Sequence, residues 1–376
     1  MRIALDGIPL NQPLTGVGHY TVELARALAA GSPHDRFEIV SPLSFIPLPE
    51  LSLSNLQLVK ASVNVFTRRW WTVGLPGYVQ RESLDIFHGT NFEVPLWRKC
   101  PTVLTIHDLS MLLFPAVHEK HRTRRARRRL PVMARAADMI ITPGESVREE
   151  VCERLQVEPS KVVAIPEAPR DLFRPLPQTE TLETRERLGI ADDFLLFVGT
   201  IEPRKNLPTL VRAFSEVVAN GNRSLQLVLA GRTGWLNSDL FELIRGSGVS
   251  DRIKLTGYLC DEDLRSLYSS CRLFVYPSLY EGFGLPPLEA MACGAPAIVS
   301  RIPSIMAVTG DAACLVSPEN TVEMAQSVVE LLNDEAKRRQ LSAAGIQRSS
   351  QFSWRRTAEL TRDVYREAMD RFSKAN

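Results

Sequence analysis

Tyr276-Pro277-Ser278-Leu279-Tyr280-Glu281-Gly282-Phe283-Gly284-Leu285-Pro286-Pro287-Leu288-Glu289-Ala290-Met291-Ala292-Cys293-Gly294 reads as a strand end, a glycine-punctuated turn and a helix. Pro286 and Pro287 suit a first helical turn, where the amide has no partner to lose, and Gly294 suits the stop. A strand feeding a helix through a tight turn is half of a βαβ unit, and the same unit recurs on either side. Phe194 to Gly199, Leu225 to Gly231, Ile253 to Gly257, Leu273 to Pro277 and Ala297 to Ser300 are short apolar runs separated by amphipathic stretches. The first half repeats the rhythm at Arg2 to Asp6, Phe37 to Ser41, Leu56 to Lys60, Asp85 to His88, Val103 to His107 and Met139 to Thr142. Nearly continuous apolar strands alternating with helices predict parallel sheets covered on both faces.

At 376 residues the chain is too long for one ordinary core. Residues 166–181 hold four prolines and little periodicity, the composition of a linker. The expectation is therefore α/β, with two Rossmann-like doubly wound domains facing across a cleft: 1–170 and 171–353, with a terminal helix over about 354–376 free to cross back to the first. In this architecture ligands bind at the carboxyl ends of the strands.

Composition narrows the class. With 44% hydrophobic and 23% charged residues the chain is neither disordered nor collagen-like, and no apolar run approaches the ~20 residues of a membrane span. Met1-Arg2-Ile3-Ala4-Leu5-Asp6 reads as a first strand instead of a signal peptide, which places the chain in the cytoplasm. Six scattered cysteines favour neither disulfides nor zinc. Net charge is +2, but His118–Arg129 sets seven Lys or Arg against one carboxylate, including Arg122, Arg124, Arg125, Arg127, Arg128 and Arg129. Two readings fit this run: a solvated helix face, or a patch for an anionic partner. Nucleic acid is disfavoured because no recognition motif accompanies the run. An anionic bilayer fits better, with Trp70-Trp71, after Arg68-Arg69, as an interfacial anchor.

Several residues in the motifs can carry chemistry. Gly282 and Gly284 allow close backbone approach, and the amides of Phe283, Gly284 and Leu285 at a helix N-terminus suit a diphosphate. Glu281 and Glu289 bracket that turn; each alone is equally a cap or a solvated side chain, whereas together they suit vicinal sugar hydroxyls. Gly199-Thr200-Ile201-Glu202-Pro203-Arg204-Lys205-Asn206-Leu207 follows the first strand of the second half and sets two cations before a helix, where they can neutralise a departing diphosphate. In the first half Gly16-Val17-Gly18 is a glycine turn without dinucleotide-binding spacing, and His88 and His107-Asp108 stand at strand ends.

Glu281-(x7)-Glu289 with its internal Gly-Phe-Gly, preceded by Gly199-(x4)-Arg204-Lys205-Asn206, resembles the nucleotide-sugar half of retaining GT-B glycosyltransferases of family 4. Gly16 to Gly18 and Thr105-Ile106-His107-Asp108 resemble the acceptor half, so the resemblance spans essentially the whole chain. It implies hexose transfer from a nucleotide-sugar with retention, without a metal or other cofactor, in cell-surface polysaccharide or lipopolysaccharide assembly. It assigns Glu289 to the ribose, Lys205 to the diphosphate, Glu281 to the sugar hydroxyls, Gly16 and Gly18 to the diphosphate from the other domain, and His107 to the neighbourhood of the reacting carbon. His88 and Asp108 fall on the acceptor side. The family commonly has an arginine directly after the strand-ending glycine; Thr200 stands there, and Arg204 is the available replacement, a pattern of the mannosyltransferase-like branch that favours GDP-mannose over UDP-sugars. The acceptor is expected to be a glycan or lipid-linked. Two alternatives stay open: a GT-B nucleotide-sugar epimerase, and a non-catalytic nucleotide-sugar-binding protein.

Overall fold

The computed structural model describes every residue except 49, 50, 52, 64–68, 222, 223 and 376, so Arg68 lies outside it. The first sheet comprises β1 (Arg2–Asp6), β2 (Arg36–Ser41), β3 (Leu56–Lys60), β4 (Ile86–Gly89), β5 (Thr102–Thr105), β6 (Met139–Thr142) and β7 (Val162–Ala164). The second comprises β8 (Phe194–Val198), β9 (Gln226–Ala230), β10 (Ile253–Gly257), β11 (Leu273–Tyr276), β12 (Ala297–Ser300) and β13 (Cys314–Val316). Every pairing is parallel. The order is β3-β2-β1-β4-β5-β6-β7 in the first and β10-β9-β8-β11-β12-β13 in the second. Both are doubly wound. In each, the order reverses between two central strands, β1 and β4 or β8 and β11, and that reversal is where a crevice opens at the carboxyl ends.

The central strands carry apolar side chains on both faces because helices cover both. Phe194–Val198 and Leu273–Tyr276 are buried throughout, as are Met139–Thr142 and Thr102–Thr105. At roughly 1.5–3 kcal/mol per large apolar side chain removed from water, these strands anchor their sheets. The two three-residue edge strands, β7 and β13, do not stand out in the sequence because so short a run has no period to detect.

The chain divides into two compact units. One comprises Met1–Leu109, Arg124–Glu167 and Ser353–Asn376; the other comprises Ser110–Thr123 and Ala168–Phe352. In the first, the terminal helix Trp354–Ala375 packs on the helix Gly16–Ala30 and on β5 and β6. Thr357 Oγ1 donates to Pro166 O at 2.7 Å, and the Tyr365 hydroxyl lies 2.8 Å from His88 Nδ1. Ser110–Thr123 departs from the expected boundaries by joining the second unit. There Trp235 Nε1 donates to Val117 O at 2.8 Å, His118 and Arg122 lie against the Trp235 ring, and Phe114 packs on Tyr280.

Candidate active site

The second sheet's reversal is where its charged residues gather. β8 hands over to Gly199, held at φ +151, and Pro203–Lys205 makes one short turn before Asn206, in the left-handed region at φ +53. Asn206 Nδ2 donates to Pro277 O at 3.2 Å and to Pro318 O at 2.5 Å, and Leu279 N donates to Arg204 O at 2.9 Å. These bonds tie the loop after β8 to the loop after β11.

The result is a buried ion-pair cluster. Lys205 Nζ donates to Glu281 Oε1 and to the Tyr276 hydroxyl, each at 2.6 Å. Arg204 donates to Glu281 Oε2 and Tyr280 O, each at 2.8 Å, and through its other nitrogens to Glu202 Oε1 at 2.7 and 3.1 Å. Lys205 is 6% exposed and Glu281 8%. Burial by itself would raise the Glu281 carboxyl, but Arg204 and Lys205 outweigh it and hold its pKa at about 2. The Lys205 pKa falls below the usual lysine value, because burial disfavours its ammonium more than Glu281 supports it. Two cations balance two carboxylates, so an arriving polyanion meets donors already oriented. Arg204 is committed to Glu202, Tyr280 and Glu281, which makes it the residue that holds Glu281 in place. Thr200 stands half-buried beside Gly199.

Glu289 belongs to a neighbouring group. It sits on the helix Leu285–Ala292, and its Oε1 accepts from Arg170 Nε at 3.1 Å, while Arg170 also pairs with Asp261 at 2.5 Å. Burial raises its pKa against the pull of Arg170. At the helix start, Gly284 has φ +111, and a Cβ there would lie 2.5 Å from Ile305 Cδ1, so glycine is required. Gly282 is buried beside it. The Phe283 ring packs with Leu288, Val308 and Phe352, leaving backbone to face a ligand. First-turn amides, those of Gly284 and Leu285, have no intrahelical acceptor.

The first unit's candidates behave differently. Gly16 opens a helix at a point where a Cβ would meet nothing within 4 Å, whereas at Gly18 a Cβ would meet Leu14 at 2.9 Å. His107 Nε2 donates to Thr90 O at 2.8 Å, and its Nδ1 lies 3.2 Å from Glu167 Oε1. Asp108 is half-buried next to it. His88 corrects an expectation. It is 0% exposed, held between Thr105 Oγ1 and the Tyr365 hydroxyl at 2.8 Å each, and burial together with the nearby His107 pushes its pKa down to about 3. It is a neutral core histidine, enclosed by its hydroxyl partners, and leaves no face for an acceptor.

The basic run forms the helix Lys120–Ala136, with Arg122, Arg124, Arg125, Arg127 and Arg128 exposed. Three arginines of the run are engaged internally: Arg122 pairs with Glu119, and Arg125 and Arg129 pair with Glu93. Trp70 is no surface anchor, and Trp71 is half-buried. Trp70 is buried with Ala4, Val40 and Tyr78, and Trp71 packs edge-on against Phe87. Among the described residues no group of His, Cys, Asp or Glu is arranged to hold a metal, and no helix is long and apolar enough to cross a membrane.

Sequence reading passed over four residues of these clusters. Arg170 and Glu167 fall in the proline-rich stretch read as linker, Tyr276 reads as a strand hydrophobe, and Glu202 as loop. Tyr276 and Glu202 at least lie inside motifs already singled out, whereas Arg170 and Glu167 carry no local signal beyond a charge among prolines.

Comparison with known proteins agrees along the whole length. Residues 180–348 match the model for glycosyl transferases group 1, and residues 14–168 match that for glycosyltransferase family 4. The O-antigen chain mannosyltransferase B of Escherichia coli is 31% identical over 97% of this chain and 100% of its own length. The serotype-specific mannosyltransferase WbdA of Escherichia coli is 35% identical over 60% of this chain, which spans 28% of that larger protein. Among solved structures, sucrose-phosphate synthase from Thermosynechococcus elongatus superposes with a TM-score of 0.76 at 23% identity, covering 97% of this chain and 98% of that one. HepE from Anabaena, solved with UDP and glucose, superposes with a TM-score of 0.76 at 18% identity, over 96% and 98%.

Proposed function

Since this chain belongs to glycosyltransferase family 4, in the branch that includes the O-antigen mannosyltransferases, we propose that it transfers mannose from GDP-mannose to a glycan or lipid-linked acceptor, with retention of configuration and without a metal. The observation that carries this reading is the Lys205–Glu281 pair at the reversal point of the second sheet. Mannose as the transferred sugar is supported by the activity for which the Escherichia coli relative that aligns end to end is named.

The residues fit a front-face displacement. The bond from the anomeric carbon to the diphosphate breaks on the face where the acceptor oxygen attacks, and the departing phosphate oxygen takes the acceptor's proton. Lys205 and the amides of Gly284 and Leu285 stabilise the negative charge that grows on the diphosphate. Glu281, kept ionised by Arg204 and Lys205, accepts hydrogen bonds from sugar hydroxyls. Glu289, oriented by Arg170, receives the ribose hydroxyls. The protein's contribution is positional and electrostatic. The test is a radiolabel assay of the purified chain with GDP-mannose, UDP-glucose and UDP-N-acetylglucosamine, with and without chelator. Mannosyl transfer from GDP-mannose alone, unaffected by chelation, supports the reading. Conversion of UDP-N-acetylglucosamine without any acceptor would assign an epimerase, and binding without turnover a non-catalytic protein.

Peripheral docking of the first unit on an anionic bilayer forms part of the proposal. Arg124, Arg127 and Arg128 are exposed and make no ion pair among the described residues. Val132 is 45% exposed on the same helix, and Trp97 is 71% exposed on the loop that Glu93 and Val94 fasten to that helix. Exposed cations and an exposed indole in one unit suit a headgroup surface. Co-sedimentation with phosphatidylglycerol vesicles that weakens with salt and with Arg124→Glu/Arg128→Glu supports it; binding equal to neutral vesicles contradicts it.

A further inference from the structure

Both ring nitrogens of His107 face acceptors. Thr90 O can only accept, so Nε2 carries a hydrogen. Nδ1 then points at the Glu167 carboxylate from 3.2 Å, and a bare lone pair there would oppose a carboxylate oxygen. The aromatic rings packed on it carry no charge. The Tyr20 ring, from the helix Gly16–Ala30, lies 4.7 Å away at 86°, and Phe92 lies 5.9 Å away at 71°. His88 on β4 is neutral, and Asp108 adds a second negative charge from the residue after the ring. Glu167 is itself fixed: Thr357 of the terminal helix holds Pro166 O at 2.7 Å, and Ile165 N donates to Thr142 O at 2.8 Å.

We propose that Glu167 is a positioning residue that keeps His107 as a fixed, doubly donating imidazolium, so that His107 serves sugar transfer as a buried positive charge and accepts no proton. This rests on the sugar transfer proposed above, which supplies its catalytic readout. Burial works against the charged ring, but Glu167, the Thr90 carbonyl and Asp108 outweigh it and raise its pKa. A raised histidine is charged at low pH and loses its charge as pH climbs through the raised value. Activity that depends on the charge therefore fails on the alkaline side, and removing Glu167 brings that failure to lower pH.

The test uses the full chain with 15N-labelled histidine, His107→Gln serving to assign the ring. Wild-type His107 is expected to keep both nitrogens protonated at pH 7.5, and Glu167→Gln to lose one of them. In mannosyl transfer, Glu167→Gln lowers kcat at pH 8 by about tenfold for each unit by which the ring's pKa falls below the assay pH, leaves KM for GDP-mannose within about twofold, and recovers at pH 6. Glu167→Asp, which keeps the charge, should fall between the two. A wild-type ring that is neutral at pH 7.5, or a Glu167→Gln loss equal at pH 6 and pH 8, overturns the proposal. Should the wild-type chain turn over no nucleotide-sugar, the donor reading fails while the ring titration still decides the charge state.

Discussion

The reversal points of the two sheets occupy the same place in the same topology and carry opposite chemistry. After β8 and β11 stand Glu202, Arg204, Lys205 and Glu281, four ionised groups within one hydrogen-bonded cluster. Around the ends of β1 and β4 stand mainly hydroxyls and imidazoles, Thr90, Thr21, Thr105, Tyr20, His88 and His107, with the carboxyl groups of Asp6, Asp108 and Glu167 among them. One topology carries two chemistries at its reversal points, and the loops set which. An ion-pair cluster suits a polyanion, which exchanges partners with charges already in place. A site lined mostly by hydroxyls suits a sugar, whose own hydroxyls need donors and acceptors.

Removing the lysine gives the largest effect. Lys205→Ala should lower turnover roughly 10²–10³-fold, as loss of an electrostatic donor does elsewhere. It should also cost about 1–3 kcal/mol of stability, because Glu281 Oε1 and the Tyr276 hydroxyl lose a buried donor while Arg204 still pairs with Glu281. The double variant Lys205→Met/Glu281→Leu sharpens the comparison: its melting temperature should recover while its activity does not. Parallel recovery of both would show the cluster to be structural only. Next in size, Glu289→Gln should raise KM for GDP-mannose by about tenfold with kcat little changed, since one charge-assisted hydrogen bond is worth about 1.5–3 kcal/mol. Equal KM values for variant and wild type would remove the ribose from Glu289.

The first unit should respond more mildly. Tyr365→Phe removes the hydroxyl on His88 and should cost about 1 kcal/mol of stability in chemical denaturation with kcat unchanged. A fall in kcat would show that the hydroxyl network reaches the chemistry. Acid titration separates the regions as well. The His88 ring, held neutral with its pKa depressed from 6.5 to about 3, contributes stability that is complete above pH 6.5 and is lost as pH falls toward 3. Glu281, depressed from 4.5 to about 2, contributes stability that is lost only below about pH 4.5. His88→Gln should therefore flatten the decline between pH 6.5 and 4.5, whereas Glu281→Gln should alter it only below that range.

Among the described residues, strand periodicity exposed eleven of thirteen strands because each is an apolar run bounded by polar turns; β7 and β13 escaped because three residues carry no period. Glu281, Lys205 and Arg204 were legible because glycine and proline punctuate their loops. Their partners were hidden by distance along the chain. Arg170 lies 119 residues from Glu289, and Tyr365 lies 277 from His88. His88 read as a crevice residue because a polar side chain at a strand end usually is one. Only its pairing opposite Leu5 and Val103, and the helix that closes over it, show it to be core. Trp70 misled in the same way: an arginine beside it suggests an exposed face, yet the ring fills the core with Ala4 of β1 and Val40 of β2.

Isothermal titration of GDP-mannose into the wild-type chain and into Lys205→Met tests the donor site at its centre, with Arg128→Glu, which is not a member of the cluster, as a control. The wild type and the control should bind with the same affinity, and Lys205→Met should bind at least tenfold more weakly while remaining folded by circular dichroism. Equal affinity in all three would contradict the assignment of the second sheet's reversal point to the sugar nucleotide.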